Sequence, residues 1–382
     1  MEQRHLAAKS HWYHETQSRP SPADAHPLVP EAAQVEDAFL LDCPWPTTLH
    51  PAHHPWLATA RQLSGQLLPP RVAVNRRQTL SSYDRLSTAL TVAQVYGVQR
   101  LCNHYSARLA PEPGPDSSRE SNHRLTQITQ FARQLAGNPG CIDLAATRQL
   151  LAVGLTEDDV VTFVHLIGFI GFQARVIAAL HAFNGLPVRW LPGMDIQADA
   201  PPDSFSSTAA PALALSLTTP PPEQLTFASR ELLADATPDT PLHHLAPLLA
   251  RDPDSWRLLT RLQRAVPAHS SAILVRLLSA RVNGSVPCFT AASQQWTRDN
   301  TLVDSVRNGE RAITAWSHGQ AEYRGLIEPL LLMIRAPSRF GAAHVAGLRE
   351  HGVTADNSLA LLTHLGIEGW VNRLNISLYG RL

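Results

Sequence analysis

The sequence predicts an all-α protein of two tandem helical modules related by internal duplication. Three observations predict it. Apolar residues recur at helical spacing over most of the chain, between capping and breaking residues. The alternation a half-buried strand needs is scarce. And one stretch recurs: Gly154 to Arg175 aligns without gaps on Gly352 to Arg373. Both copies keep a helix-ending glycine, a capping threonine (Thr156, Thr354), a Gly-x-x-Gly pair and the arginine, with an aromatic after the second glycine. A shorter match, Leu90–Gly97 on Leu277–Gly284, precedes it at a different offset. The proline-rich loop after Leu109 absorbs the difference.

The elements follow in order. Residues 1–30 are polar, rich in His, Pro and Ser, and read as a disordered tail without the apolar core of a signal peptide. An irregular arm with many prolines leads to a helix over 56–68. Its histidines, His50, His53 and His54, have no acidic or cysteine partner nearby and read as solvated rather than metal-binding. Helical patterns cover 80–109, 121–136, 144–153 and 160–183. The arm and these helices form a first module, residues 31–185. A proline-rich linker without periodicity spans 186–239. The second module, 240–382, carries helices over 242–250, 255–265, 268–282, 286–297, 302–318, 322–336, 342–351 and 355–378.

Composition narrows the function classes. With 382 residues, 44% hydrophobic and 17% charged, the chain is long enough for sizeable cores. Its 32 basic and 32 acidic residues cancel, so no charge field points to nucleic acid or to an anionic membrane. Four scattered cysteines, Cys43, Cys102, Cys141 and Cys288, form no CxxC pair and no zinc framework. No motif calls for a metal or another cofactor, and a cytoplasmic location is the default. Val160–Phe172 is apolar enough to raise a membrane span. The run is short, Gln173 and Arg175 follow at once, and its second copy carries His364, Glu368, Asn372, Arg373 and Asn375. A buried soluble helix is the expectation, with the Gly-x-x-Gly pairs marking close helix–helix approach.

Chemistry concentrates at Ser279–Ala292. An apolar helix ends at Asn283-Gly284, Ser285 stands as N-cap, Pro287 falls in the next first turn, and Cys288 follows near the helix N-terminus, where the dipole favours a thiolate. This layout resembles the active segment of the alkylhydroperoxidase D / carboxymuconolactone decarboxylase (CMD) family, whose peroxidases carry Glu-x11-Cys-x-x-Cys-x-x-x-His. Asn372-Arg373 late in the last helix and the helical hairpin before it are also typical of that family. The resemblance covers about residues 75–185 and 240–382, most like the subgroup with two CMD modules in one chain. It implies Cys288 as the attacking thiol. Ser285 then stands for the resolving cysteine, Ile273 for the proton-relaying glutamate and Ala292 for the histidine. In the first module the two cysteine positions fall on Val98 and Leu101, the glutamate position on Leu86 and the histidine position on Tyr105.

Each candidate carries two readings. Cys288 is a peroxide-reactive thiol needing an external thiol reductant, or a relic packed in a core. Ser285 is a ligand-facing hydroxyl or simply a cap. Arg175 and Arg373 bind an anion, or pair a carboxylate or helix-end carbonyls. Cys102 and His104, two residues apart on a helix, point to different faces. Three functions follow: a single-cysteine peroxidase, a catalytically eroded module binding a small molecule or partner, or a cysteine-independent reaction, for which no acid–base cluster is visible. The partners expected are a peroxide, a thiol and a second copy of the chain.

Overall fold

Helices begin where the sequence offers a side-chain oxygen to the first free amides. Ser81, Ser118, Asp143, Thr156, Thr226, Asp252 and Thr354 each accept a hydrogen bond from the backbone N–H three residues on. At Ser81 and Thr156 the bond is reciprocated by Asp84 and Asp159, a capping box.

The structure, a computed structural model, describes residues 31–51, 54–188, 196–206, 213–237, 242–298 and 300–381. The tail expected over 1–30 lies outside the described residues. The chain is all-α. In order come α1 (Trp56–Leu67), α2 (Ser82–Tyr96), α3 (Gln99–Leu109), α4 (Arg119–Gly137), α5 (Leu144–Ala152) and α6 (Glu157–Phe183). Strand β1 (Leu213–Leu215) and α7 (Phe227–Asp235) follow. Then come α8 (Ala246–Leu249), α9 (Pro253–Ala265), α10 (Ala272–Asn283), α11 (Val286–Gln295), α12 (Thr301–Arg307) and α13 (Glu310–His318). The chain closes with α14 (Ala321–Arg335), α15 (Ala342–Glu350), α16 (Ala355–Leu378) and β2 (Tyr379–Arg381).

Several expectations need correction. Residues 80–109 form two helices, because Gly97 takes φ 67 and turns the chain. Residues 302–318 also form two, broken at Gly309 with φ 93. The helix expected over 242–250 is a 3-10 turn, His243–Leu245, running into the single turn α8. The linker is not featureless among its described residues. It contributes α7, and β1 pairs antiparallel with β2 in the register Leu213↔Arg381, Ala214↔Gly380, Leu215↔Tyr379. His54 is not solvated: it is buried, and its Nε2 lies 3.1 Å from the Asp356 carboxylate at the start of α16.

α6 and α16 pack against each other at the centre, and one continuous apolar core takes side chains from both halves of the chain. Their glycines set the approach. A Cβ on Gly168 would lie 2.0 Å from Trp370 Cδ1, and one on Gly366 would lie 3.0 Å from Phe172 Cδ2. Each helix thus receives the other's aromatic on its first glycine. Phe39 from the arm stacks on Phe172 at 5.5 Å, and Trp56 meets Phe172 edge-on at 6.3 Å, so the arm closes one side of this aromatic cluster. Among the described residues α6 is long and apolar enough to cross a membrane by length and composition, and 94% of its most apolar window is buried inside the protein.

Two pairs of helix ends, one member in each half of the chain, share local geometry. Gly97 and Gly284 both take positive φ, 67 and 88, and the residues after them, Val98 and Ser285, have φ −84 in both cases with ψ 97 and 90. α4 and α14 end at Asn138 (φ −147, ψ 66) and Ala336 (φ −149, ψ 69), each followed by a proline-led 3-10 turn.

Candidate functional site

Glycine 284 is the hinge of the site. Its left-handed φ turns the chain from α10 into α11 while it lies flat on Gly140, whose Cα would be 3.1 Å from an added Cβ. The segment before β1 holds the turn from outside. The Ala200 amide donates to the Val282 carbonyl at 3.1 Å, and Arg281 Nη1 donates to the Ala200 carbonyl at 2.6 Å. Ser285 then takes the N-cap backbone position, but its side chain makes no capping bond. The expectation that its hydroxyl caps α11 is corrected. The residue is fully buried and its Oγ has no hydrogen-bond partner among the described residues.

Cys288, in the first turn of α11, is half-buried against the core. The thiolate expected from the helix dipole is overturned by burial. Desolvation pushes the thiol up to about 12, and the negative charge of Glu368 adds to the rise. Ser285, Asn372 and Arg276 oppose it without cancelling it. Ser285 Oγ and Asn372 Nδ2 lie near enough to the sulfur to act on it, yet neither closes a hydrogen bond of regular geometry. At neutral pH Cys288 is therefore a thiol. A partial dipole at one helix end is worth less than the loss of hydration around a buried sulfur.

Helix α16 brings the other groups. His364, Glu368 and Asn372 follow one another at four-residue spacing, on one face. Arg276 Nε on α10 lies 3.3 Å from Glu368 Oε1, and its Nη1 donates to Gln295 Oε1 on α11 at 2.8 Å. His364 Nε2 lies 3.6 Å from the same carboxylate oxygen, too far for a regular hydrogen bond, and has no other partner among the described residues. Burial lowers the His364 pKa, with Glu368 acting against that shift and Arg276 and His269 with it. Asn372 is oriented by an amide chain. Gln197 Nε2 donates to Asn283 Oδ1 at 3.0 Å, and Asn283 Nδ2 donates to Asn372 Oδ1 at 3.0 Å. That leaves the Asn372 amide N–H groups free beside the thiol. Ser285 and Asn372 beside Cys288, and His364 beside Glu368, thus each carry a buried polar atom without a regular hydrogen bond among the described residues.

Positions implied by the resemblance are placed as follows. Ile273 is half-buried and packs on the core, and Ala292 is buried; neither brings a titratable group to the thiol. Val98, Leu101, Leu86 and Tyr105 are core residues of the first half. Arg175 and Arg373 are fully buried and bind main-chain carbonyls. Arg175 meets Gly171 and Ile334; Arg373 meets Gly369, Leu135 and Ala136. Cys43 and Cys102 are buried thiols raised by desolvation to about 11 and about 12. Cys141 is exposed on the 3-10 turn after α4, with Asn138 Nδ2 2.9 Å from its sulfur.

Sequence reasoning missed Arg276, His364, Glu368 and Asn372 as a site. The signal was in the repeat. At the positions aligned with Arg276, Ser285, Cys288, His364, Glu368 and Asn372 the first half has Ala89, Val98, Leu101, Leu166, Ile170 and Ala174, all buried and apolar. Six differences, apolar in the first half and polar or thiol-bearing in the second, on facing helices mark a place where packing alone does not decide the residue.

Fold and site together define an all-α protein holding a half-buried thiol inside a cluster of a carboxylate, an imidazole, a guanidinium and an amide. No protein-family model matches the chain, and no curated protein matches it.

Proposed function

We propose that the chain is a single-cysteine thiol peroxidase of CMD-like ancestry, arisen by duplication of one helical module, and slow because its thiol rests protonated. The observation that supports this reading most is the polar set around Cys288, absent from the aligned positions of the first half. Glu368 and His364 of α16 stand in for the proton carriers lost at Ile273 and Ala292. Glu368 accepts the Cys288 proton as a hydroperoxide enters. The thiolate attacks the terminal peroxide oxygen: an S–O bond forms, the O–O bond breaks, and the leaving alkoxide takes the proton and departs as an alcohol. Cys288 becomes a sulfenic acid, with Ser285 and Asn372 offering hydrogen bonds to its oxygen. With serine at position 285 no internal disulfide closes. One external thiol therefore condenses with the sulfenic acid, releasing water, and a second releases the mixed disulfide and restores the thiol.

A second reading is a binding module without turnover, favoured by the thiol pKa near 12. Steady-state reduction of a small alkyl hydroperoxide with dithiothreitol, native protein against Cys288→Ser, separates the two. Turnover lost in the variant supports the peroxidase; equal rates remove it.

A further inference from the structure

A second cleft lies in the first half, between the arm, α1, α2 and α3. Its volume is about 460 Å3, within the range of small-molecule sites. Leu68, Val72, Leu86, Pro69 and Pro111 give it apolar walls. Three nitrogen-bearing side chains share the same lining: Arg85, His104 and Arg108.

Two of these are buried and incompletely used. Arg85 is 8% exposed, donates through Nη1 to the Leu67 carbonyl at 2.9 Å, and leaves Nε without a partner among the described residues. His104 is 3% exposed; its Nδ1 donates to the Ala32 carbonyl at 2.9 Å, so in the neutral ring Nε2 is an acceptor, without a partner among the described residues. Arg108 Nη2 donates to the Leu68 carbonyl at 3.2 Å. The two guanidiniums therefore converge on adjacent carbonyls at the end of α1. Neither forms an ion pair with a carboxylate among the described residues. The acidic groups that act on them are already engaged. Asp159 accepts from the Thr79, Leu80 and Thr156 amides, and Asp252 accepts from Thr162 and Ser255. Asp42, which acts on His104, accepts from the Glu36 and Asp37 amides, and Glu112 also lines the cleft.

We propose that this cleft binds a monocarboxylic acid with an apolar body, its carboxylate on Arg85 and Arg108 and its body along Leu68, Val72 and Leu86. Two guanidiniums that converge on adjacent carbonyls without a counter-carboxylate match the oxygens of one carboxylate. The apolar walls match a chain or ring behind it. Nothing in this site depends on Cys288, so its fate and that of the peroxidase reading are separate.

Octanoate is the probe, titrated by calorimetry into the full chain, with 1-octanol as the neutral control. Gly65 faces the cleft from an exposed position on α1, and a Cβ there meets nothing within 4 Å. Gly65→Phe therefore fills the cleft without entering the core. The expected result is saturable binding of octanoate to the native chain, lost in Gly65→Phe at an unchanged melting temperature. Arg108→Gln weakens it about tenfold, the scale of one charge-assisted bond. Absence of saturable binding to the native chain overturns the proposal, as does binding that Gly65→Phe leaves intact. Equal affinity for 1-octanol overturns the carboxylate assignment.

Discussion

Arg175 and Arg373 each bind the end of a helix from the opposite half of the chain. Arg175 on α6 donates to the Ile334 carbonyl near the end of α14 at 2.6 Å. Arg373 on α16 donates to the Leu135 and Ala136 carbonyls near the end of α4 at 3.0 and 2.8 Å. Each also bonds the glycine carbonyl one turn back on its own helix, Gly171 or Gly369, at 2.8 Å. The Tyr96 ring lies between them, 4.7 Å from one guanidinium carbon and 5.9 Å from the other, and its hydroxyl donates to the Ala136 carbonyl at 3.2 Å. A helix end buried in a core has carbonyls with no water to turn to. The planar, five-donor guanidinium satisfies them across the interface, so the two halves are joined by polar bonds as well as by the apolar core.

Removing one of these arginines leaves buried acceptors unpaired. Arg373→Met is expected to destabilise the fold by roughly 2–4 kcal/mol. Arg373→Lys should recover little, because one ammonium cannot meet three carbonyls arranged around a fork. Urea denaturation of the native chain and both variants measures this. A methionine variant within experimental error of native stability would show that the bonds contribute nothing net.

The approach of α6 to α16 gives a steric prediction. An added methyl at position 168 falls inside the Trp370 ring, so Gly168→Ala forces the indole or a whole helix to move. A loss of roughly 1–3 kcal/mol is expected from such overpacking. Trp370→Leu should lose less in the Gly168→Ala background than in the native one. Strictly additive losses in the four-member cycle would mean that the two residues are not in contact in solution.

The glycine pairs and the arginines were legible because the repeat displays them twice. What they touch was not, since Ile334 and Leu135 are ordinary helix residues whose carbonyls matter only once two halves meet. The site was legible in part. Cys288 and Ser285 stand out locally, whereas His364 and Glu368 were visible only as polar interruptions of an apolar helix. Their meaning depends on α10 and α11 lying beside α16, a contact no local pattern encodes. The protonation state of Cys288 was misread for the same reason: the dipole is a local term, and burial is a tertiary one.

Acid stability should depend on buried imidazoles. Desolvation pushes His104 down to about 4, with the Ala32 carbonyl contact opposing and Arg108 assisting. An unfolded chain takes up this proton as pH falls below about 6.5, while the folded chain resists until about 4. The unfolded state thus binds more protons within that window. Stability is at its full value above it and declines as pH falls through it, by roughly 3 kcal/mol for this one group. His165, fully buried with both ring nitrogens unpartnered among the described residues and its pKa lowered by desolvation, adds in the same direction. Melting temperatures from pH 7 to pH 4 should fall less steeply for His104→Gln than for the native chain. Parallel curves would count against the shift.

Glu368 lends itself to a test in which a structural and a proton-accepting role move two readouts in opposite directions. Its charge raises the Cys288 pKa, so Glu368→Gln should lower that pKa and increase the thiolate fraction at any given pH. Alkylation of Cys288 by iodoacetamide, which consumes thiolate and needs no proton acceptor from the protein, should therefore become faster in the variant. The native rate should climb with pH through the alkaline range. Peroxide reduction has the added requirement of moving a proton from sulfur to the leaving alkoxide. If Glu368 carries it, the same substitution slows turnover, by about 10- to 100-fold on the scale of general acid–base catalysis. Cys288 alkylation can be followed by mass spectrometry of the modified peptide, which keeps Cys43, Cys102 and Cys141 out of the reading. Faster alkylation with slower peroxide turnover is the expected pair of results. Faster alkylation with faster turnover would assign Glu368 to pairing with Arg276 alone and leave the thiol without a proton acceptor.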